Sequence, residues 1–326
     1  MADPAQQLLY LSRGDVEQVA PDMQAIIALL EAAFREKARG AVEMPPKPGI
    51  HTQADAFLHA MPAYIPAQRA AGIKWVGGYP GNQTRRLPYI SGLIVLNDVE
   101  TGFPYVVMDC TWITAHRTGA ATALAAKYLA RPDSQSAGIL ACGVQGRTNL
   151  LALAALFPLK RAYAYDVDAD AQRRFIDEMS PRTGIEVVGV GTPKEAVVAS
   201  DLVVTSGPIL RQPRPVIEPE WVRPGTFASA VDFDSYWTTA ALAQFDTIAT
   251  DDLQQFHYYR SRGYFQTTPT PHVSLDQLVA GFEPGREGPH QRTLALNLGL
   301  ALEDMAVAPE IYRRAIARGL GTWLPL

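Results

Sequence analysis

Cysteine is scarce: Cys110 and Cys142 are the only two in 326 residues. That excludes a disulfide-stapled fold and fits a reducing compartment. Also missing is any apolar run approaching the roughly 20 residues needed to cross a bilayer, so no membrane partner is expected. The start, Met1 to Gln7, is polar and lacks the charged-then-apolar pattern of a secretory leader, which makes the cytoplasm the expected location. No basic run stands out among 29 bases and 33 acids, and the formal net charge is −4. Nucleic acid is therefore not an expected partner, because phosphate neutralisation needs a concentrated basic surface. The six histidines, His51, His59, His116, His257, His272 and His290, are scattered without ligand spacing, and no metal is indicated.

What is present is apolar material: 48% of residues, with 19% charged, the balance of a globular chain. The length suits two domains. Asp22 to Arg39 carries Met23, Ile26, Ile27, Leu30 and Phe34 at a helical period. A Pro/Gly stretch, Met44 to Gly49, follows. Gly92 to Asn97 and Phe103 to Met108 read as a hairpin around a polar turn ending in Thr-Gly. Thr118 to Leu129 is an Ala-rich helix ended by Arg131-Pro132-Asp133.

Beyond it, short apolar strands alternate with helices. The strands are expected at 137–142, 162–165, 185–190, 202–205, 226–231 and 247–250, the helices at 147–157, 169–179 and 194–199. Such alternation argues for a parallel sheet covered on both faces. The last apolar segment, Thr293 to Ala317, breaks the alternation and reads as a helix returning to the first domain. The expected fold is thus α/β: a Rossmann-type domain over 118–292, and a second α/β domain from 1–117 and 293–326.

Ile139 to Gly146, ILACGVQG, sits where a strand ends and a helix begins. Gly143 and Gly146 take the second and third positions of the G-x-G-x-x-G pattern, with Ala141 at the first. Such a loop turns tightly, lets the backbone approach a pyrophosphate, and presents the free N–H groups of a helix N-terminus. Asp166 ends the next strand, about 20 residues on, where an acid binds the adenosine ribose and repels a 2′-phosphate. NAD(H) is the expected cofactor, with NADP(H) the alternative because Arg173 and Arg174 lie further along. The expected cofactor residues are Thr118, Gly143, Val144, Gln145, Gly146, Asp166, Thr205 and Ser206.

Two basic residues precede this segment in settings that invite chemistry. Lys74 lies inside an apolar stretch, IKWVGGYPGN, where burial would lower its pKa and let it move protons near neutrality. Arg117 opens the Ala-rich helix and is placed to grip a carboxylate with its planar fork. The run Lys74-x-Val76-x-Gly78-x-Pro80-x-Asn82, the Arg117-Thr-Gly-Ala-Ala-Thr helix start, CGVQG and the ending GLALEDMAVAPEIYRRA together resemble the ornithine cyclodeaminase/mu-crystallin family. The resemblance covers about Leu9 to Ala317.

That resemblance implies a Rossmann domain plus an α/β domain that contacts substrate and forms a homodimer. It implies NAD(P)-linked chemistry at the Cα–N bond of a small amino or imino acid. Lys74 and Arg117 match the family's substrate-contacting lysine and arginine, and Lys47 falls where another carboxylate-binding base is frequent. Asp234, in AVDFDSYW, matches the acid/base of the cyclodeaminases, with Asp232 an equally good candidate for the role. His59, in LHAMP, stands where ornithine cyclodeaminases carry a glutamate for the substrate's distal amine. A cationic side chain would lose its partner there, so ornithine is disfavoured. Lys74 and Asp234 are therefore expected to be catalytic, and Lys47, His59, Lys74 and Arg117 to bind substrate. Three functions follow in order: an imine reductase or amino-acid dehydrogenase, a cyclodeaminase releasing ammonia, and a non-catalytic binding protein like mu-crystallin.

Overall fold

The structure is a computed structural model that describes residues 7–326 except Ala54 and Arg211; the polar start ahead of Gln7 lies outside the described residues. In its first third the chain forms β1 (Gln7–Leu11), α1 (Arg13–Gln18), α2 (Met23–Ala38), β2 (Gly49–Ile50), β3 (Phe57–Ile65), β4 (Ala70–Gly78), β5 (Ile90–Asn97) and β6 (Pro104–Asp109). Then come α3 (Thr111–Leu129), β7 (Ser136–Leu140), α4 (Val144–Leu156), β8 (Arg161–Tyr165), α5 (Ala169–Thr183), β9 (Glu186–Gly189) and α6 (Pro193–Val198). Next are β10 (Leu202–Thr205), β11 (Phe227–Ala230), α7 (Thr239–Leu242), β12 (Thr247–Thr250), α8 (Leu253–Ser261), β13 (Val273–Ser274) and α9 (Leu275–Ala280). The chain ends with β14 (Thr293–Leu296), α10 (Ala301–Arg318) and β15 (Thr322–Pro325). Two units result: Met1–Arg117 with Leu300–Leu326, and Thr118–Gly299.

The first unit is built on a seven-stranded sheet in the order β15-β1-β6-β5-β4-β3-β2. Its pairs are antiparallel except β1 with β6. Side chains alternate as the pleat requires. In β5, Ile94 and Leu96 are buried while Leu93 is 44% exposed; in β4, Lys74 and Val76 are buried while Trp75 is 43% exposed. A lysine therefore occupies an inward position that the pattern reserves for apolar residues. α2 packs with α10, and α10 lies along β3 and β4. The helical stripe read from the sequence is the buried face of α2: Ile26, Ile27, Leu30 and Phe34. Asp22 starts that helix by accepting the N–H of Ala25 at 2.8 Å.

The second unit holds an eight-stranded sheet in the order β13-β12-β14-β11-β10-β7-β8-β9, parallel throughout. From β7 the chain runs outward through β8 and β9, then returns to place β10 on the other side of β7. Beyond the carboxyl ends of β7 and β10 lies the topological switch point, where such sheets bind their ligands. This is the Rossmann-type arrangement that the alternation of strands and helices called for.

Several boundaries differ from expectation. The Ala-rich helix expected from Thr118 already begins at Thr111, so Arg117 lies inside α3 and not at its N-terminus. Residues 293–317 are not one helix: β14 inserts between β11 and β12, Gly299 turns the chain at φ +78°, and α10 begins at Ala301. Thr293 to Leu296 are wholly buried, and a four-residue apolar run carries no period that distinguishes strand from helix. Residues 293–299 accordingly belong to the second unit, and the chain rejoins the first at Leu300. The helix after the glycine loop also starts earlier than position 147, at Val144, because Gly143 serves as its N-cap.

Candidate active site

The loop after β7 is shaped by one strained residue and two glycines. Ala141 adopts φ +79°, a left-handed conformation disfavoured for a residue with a Cβ. Its N–H donates to Tyr165 O at 2.9 Å, and its carbonyl accepts from Ser206 Oγ at 3.2 Å. A Cβ built on Gly143 would meet nothing within 4 Å, so the backbone there is open to approach. One built on Gly146 would lie 2.4 Å from Ala141 O, so only glycine lets α4 sit this close to the loop. No side chain caps the first turn of α4, which leaves its N–H groups and dipole for an anion. The residues present thus fit a dinucleotide pyrophosphate. Gly146→Ala should weaken NADH binding about tenfold or more through the backbone shift it forces. Titration calorimetry would read this, and unchanged affinity would dissociate Gly146 from the site.

Asp166 ties the end of β8 to this loop: Oδ2 accepts from Cys142 N at 2.7 Å and Oδ1 from Asp168 N at 2.9 Å. Beside it, Val167 is 89% exposed. Val144 is exposed at the helix start, with Gln145 next to it, and Thr118 is buried at the head of the second unit. Ser206 Oγ donates to Leu140 O and Ala141 O, holding β10 to β7 across the switch point. Thr205, expected among the cofactor residues, ends β10 with its side chain turned inward. It is fully buried, donating to Asp232 Oδ1 at 2.6 Å and accepting from Trp237 Nε1 at 3.1 Å. Arg147, which sequence reading passed over, donates to the carbonyls of Cys142 and Gly143 and pairs with Glu178 at 2.6 Å. It braces the loop.

The first unit gathers the basic residues. Lys74 is fully buried, with Nζ 2.6 Å from Asp304 Oδ2 and donating to Thr114 Oγ1 at 3.4 Å. Arg117 Nη1 meets Glu303 Oε2 at 2.5 Å, and its Nε lies 3.3 Å from Asp304 Oδ1. Glu303 and Asp304 occupy the first turn of α10, where the helix dipole favours negative charge, and both are wholly buried. Burial and the Arg117 charge lower the Lys74 pKa, while Asp304 opposes that fall. Burial raises Glu303, and Arg117 opposes it. Sequence reading missed both acids; the available signal was a pair of adjacent carboxylates opening an otherwise Ala-rich apolar helix.

Lys47 is buried beside His59 in charge reach. His59 pairs across from Gly49, stacks on Phe57 with centroids 4.2 Å apart, and lies so close that a Cβ on Gly49 would sit 2.3 Å from its Cδ2. Burial first, then the charges of Lys47, His51 and Lys74, lowers its pKa to about 3. The imidazole is thus neutral at any ordinary assay pH. His59→Asn should therefore leave the shape of the kcat/KM pH profile unchanged while altering KM. Loss of a limb near neutrality in that variant would mean that His59 titrates.

Asp232 and Asp234 flank Phe233, which is held at φ +63° at the end of β11. Asp232 is fully buried and satisfied by Thr205 Oγ1 and by Gly207 N at 3.3 Å; burial pushes it up to about 7. Asp234 accepts from Thr268 Oγ1 at 2.7 Å through Oδ2, while its buried Oδ1 has no hydrogen-bond partner among the described residues. Burial raises the Asp234 pKa as well. Of the two, Asp234 keeps an oxygen in reserve.

With this geometry in place, comparison with known proteins decides the family. The model of the ornithine cyclodeaminase/mu-crystallin family matches residues 9–319. The chain belongs to that family. It is 35% identical to the alanine dehydrogenase of Archaeoglobus fulgidus over 97% of this chain and 98% of that one. Among solved structures it resembles the Thermococcus litoralis Δ1-pyrroline-2-carboxylate reductase in complex with NADH and L-proline. The TM-score is 0.88 and the identity 32%, over 97% of this chain and 99% of that one. It also resembles an archaeal alanine dehydrogenase dimer with bound NAD, at TM-score 0.87 and 33% identity over 98% and 99%. No helix among the described residues is long and apolar enough to cross a membrane.

Proposed function

We propose that this family member is an NAD(H)-dependent oxidoreductase acting on the Cα–N bond of a small amino or imino acid, as an imine reductase or amino-acid dehydrogenase. The observation that carries the reading is the buried Lys74–Asp304–Arg117–Glu303 set, a cluster of desolvated charges that includes a lysine of lowered pKa, as is common at catalytic sites. The nicotinamide, when bound, donates or accepts the hydride. Gly143, Gly146 and the N-terminus of α4 hold the pyrophosphate, and Asp166 takes the ribose hydroxyls, which favours NAD(H) over NADP(H). Arg117 and Lys47 bind the substrate carboxylate. Lys74, low in pKa for a lysine, gives a proton to the substrate nitrogen during reduction or takes it back during oxidation. Asp234, through its unpartnered Oδ1, is the second acid/base. Relatives named alanine dehydrogenase and pyrroline-2-carboxylate reductase support this chemistry. A neutral His59 offers no counter-charge to a distal ammonium, which disfavours a diamino acid.

A homodimer is proposed for the outer face of the first sheet. The registers align Pro62, Ile73, Val95, Val107 and Tyr10 in one row, and Ala60, Trp75 and Leu93 in the next. Tyr10, Trp75 and Leu93 are each more than a third exposed. Such a face, wider than scattered surface apolars, suits a second copy, and the archaeal relative is a dimer. Both cysteines are free and buried, consistent with a cytoplasmic setting.

The test is a substrate panel. Purified protein is given NAD+ with L-alanine, L-proline and L-ornithine, and NADH with pyruvate plus ammonia and with Δ1-pyrroline-2-carboxylate, while NADH absorbance and ammonia are followed. Net NADH change with an imine or small amino acid is expected. Ammonia and a cyclic product from a diamino acid without net NADH change would overturn the reading in favour of cyclodeamination. Binding without turnover on every substrate would overturn it in favour of a carrier.

A further inference from the structure

The segment Asp232 to Trp237 is stitched to the stretch that follows β10. Asp232 holds Thr205 Oγ1 and Gly207 N, and Ser235 Oγ accepts from Leu210 N at 3.2 Å while donating to Asp232 O at 2.7 Å. The carbonyl of Tyr236 accepts from Val216 N and Ile217 N, both at 2.9 Å, and Trp237 Nε1 reaches Thr205. Phe233 anchors the other side, packed against Tyr259, Tyr264 and Phe265 with centroids 4.8–5.5 Å away. One side chain of the segment packs on the core along part of its surface and keeps the rest toward the loop that follows β10. The ring of Tyr236 is half-buried and its phenol end lies against Gly207, where a Cβ would come within 2.4 Å of Cε2 and 2.7 Å of the phenol oxygen.

Gly207 follows Ser206, whose hydroxyl touches the carbonyls of the β7 loop. The ring therefore stands at the switch point, beside the open backbone of the dinucleotide loop. Its phenol also lies toward β8: burial pushes it up to about 12, and Asp232, then Asp166, Tyr165 and Cys142, add to the rise. Asp166 is the acid placed for the adenosine ribose, and next to it Val167 projects an apolar side chain into solvent. A partly buried aromatic on the loop after β11 and an exposed valine after β8 supply the kind of flat and apolar surfaces against which an adenine ring packs.

Resting on the dinucleotide reading above, we propose that Tyr236 is a cofactor-binding residue, its ring forming the wall of the adenosine half of the crevice opposite Val167. The rigid stitching of 232–237 presets that wall, so little ordering is required when the ligand arrives.

The test is binding of NADH, ADP-ribose and nicotinamide mononucleotide, each titrated calorimetrically into wild type, Tyr236→Phe and Tyr236→Ala. Base stacking on an aromatic predicts that Tyr236→Ala weakens ADP-ribose and NADH alike, by about tenfold, while Tyr236→Phe stays within about twofold of wild type. Nicotinamide mononucleotide should be unaffected by either change. Unchanged ADP-ribose affinity in Tyr236→Ala would overturn the proposal, whether or not NADH weakens. Should Tyr236→Ala fail to fold, Tyr236→Leu keeps apolar bulk without the flat ring and is judged by the same loss of ADP-ribose. Wild type that binds neither NADH nor ADP-ribose would instead overturn the dinucleotide reading itself.

Discussion

Lys74→Met is expected to cut kcat/KM by about 10³, the middle of the range for losing a positioned acid/base group, and to destabilise the fold as well. The two losses have different causes. Lys74 sits fully buried on β4 with Asp304 as its 2.6 Å partner, so methionine fills the volume but removes the nearer of that buried carboxylate's two cations, leaving Arg117 Nε at 3.3 Å. Leaving a buried charge wholly uncompensated costs about 3–5 kcal/mol, and the remaining Arg117 contact places the loss below that. Adding Asp304→Asn to Lys74→Met removes the under-compensated charge. Thermal melts should therefore show the double variant recovering much of the stability, while turnover stays lost. Near wild-type turnover in folded Lys74→Met would take the lysine out of the mechanism. Recovery of activity in the double variant would mean that the single change had acted through folding alone.

How much of this was legible in the sequence depends on how local the signal is. The β7 loop was readable because each of its requirements is met within a few residues: a strand, a turn with glycine at Gly143 and Gly146, and a helix start. Ala141 was visible as a departure from the pattern, but its φ of +79° belongs to the fold. Lys74 could be noticed because a charge interrupts an apolar strand. Its partner could not: Asp304 lies far along the chain, and only the packing of α10 on β4 brings them together. Glu303 and Asp304 fall inside the single apolar helix expected over 293–317, and only the start of α10 at Ala301 puts them in a buried first turn. Thr205 shows how side-chain direction is hidden from the sequence. Its position at the end of β10 pointed to a ligand, yet its hydroxyl is taken up by Asp232 and Trp237. The pair Asp232 and Asp234 was undecidable in one dimension, because Phe233 at positive φ turns one carboxylate toward Gly207 and the other toward Thr268. Strand against helix at 293–296 failed for a related reason, since a buried parallel strand shows no alternation.

Asp304→Asn alone probes what the carboxylate does for the lysine. Three influences set the Lys74 pKa: burial and the neighbouring Arg117 charge lower it, and Asp304 raises it. Deleting the Asp304 charge removes the opposing influence, so the Lys74 pKa falls further. If the protonated amine delivers the proton to nitrogen during imine reduction, the pH above which kcat falls must then move to lower pH. In the oxidative direction the neutral amine is required, and the acidic limb should move down too, extending activity into more acidic solution. Arg117 is affected less, because Glu303 still holds its Nη1 at 2.5 Å. The expected result is therefore a displaced pH profile with roughly a tenfold to hundredfold loss in kcat/KM, the scale of a small misplacement of a reacting group. Asp304→Glu keeps the charge and should leave the limb near its original pH even where rate is lost to geometry. A profile for Asp304→Asn that superimposes on wild type, at any rate, would reduce Asp304 to a packing residue and would leave burial and Arg117 alone to set the lysine.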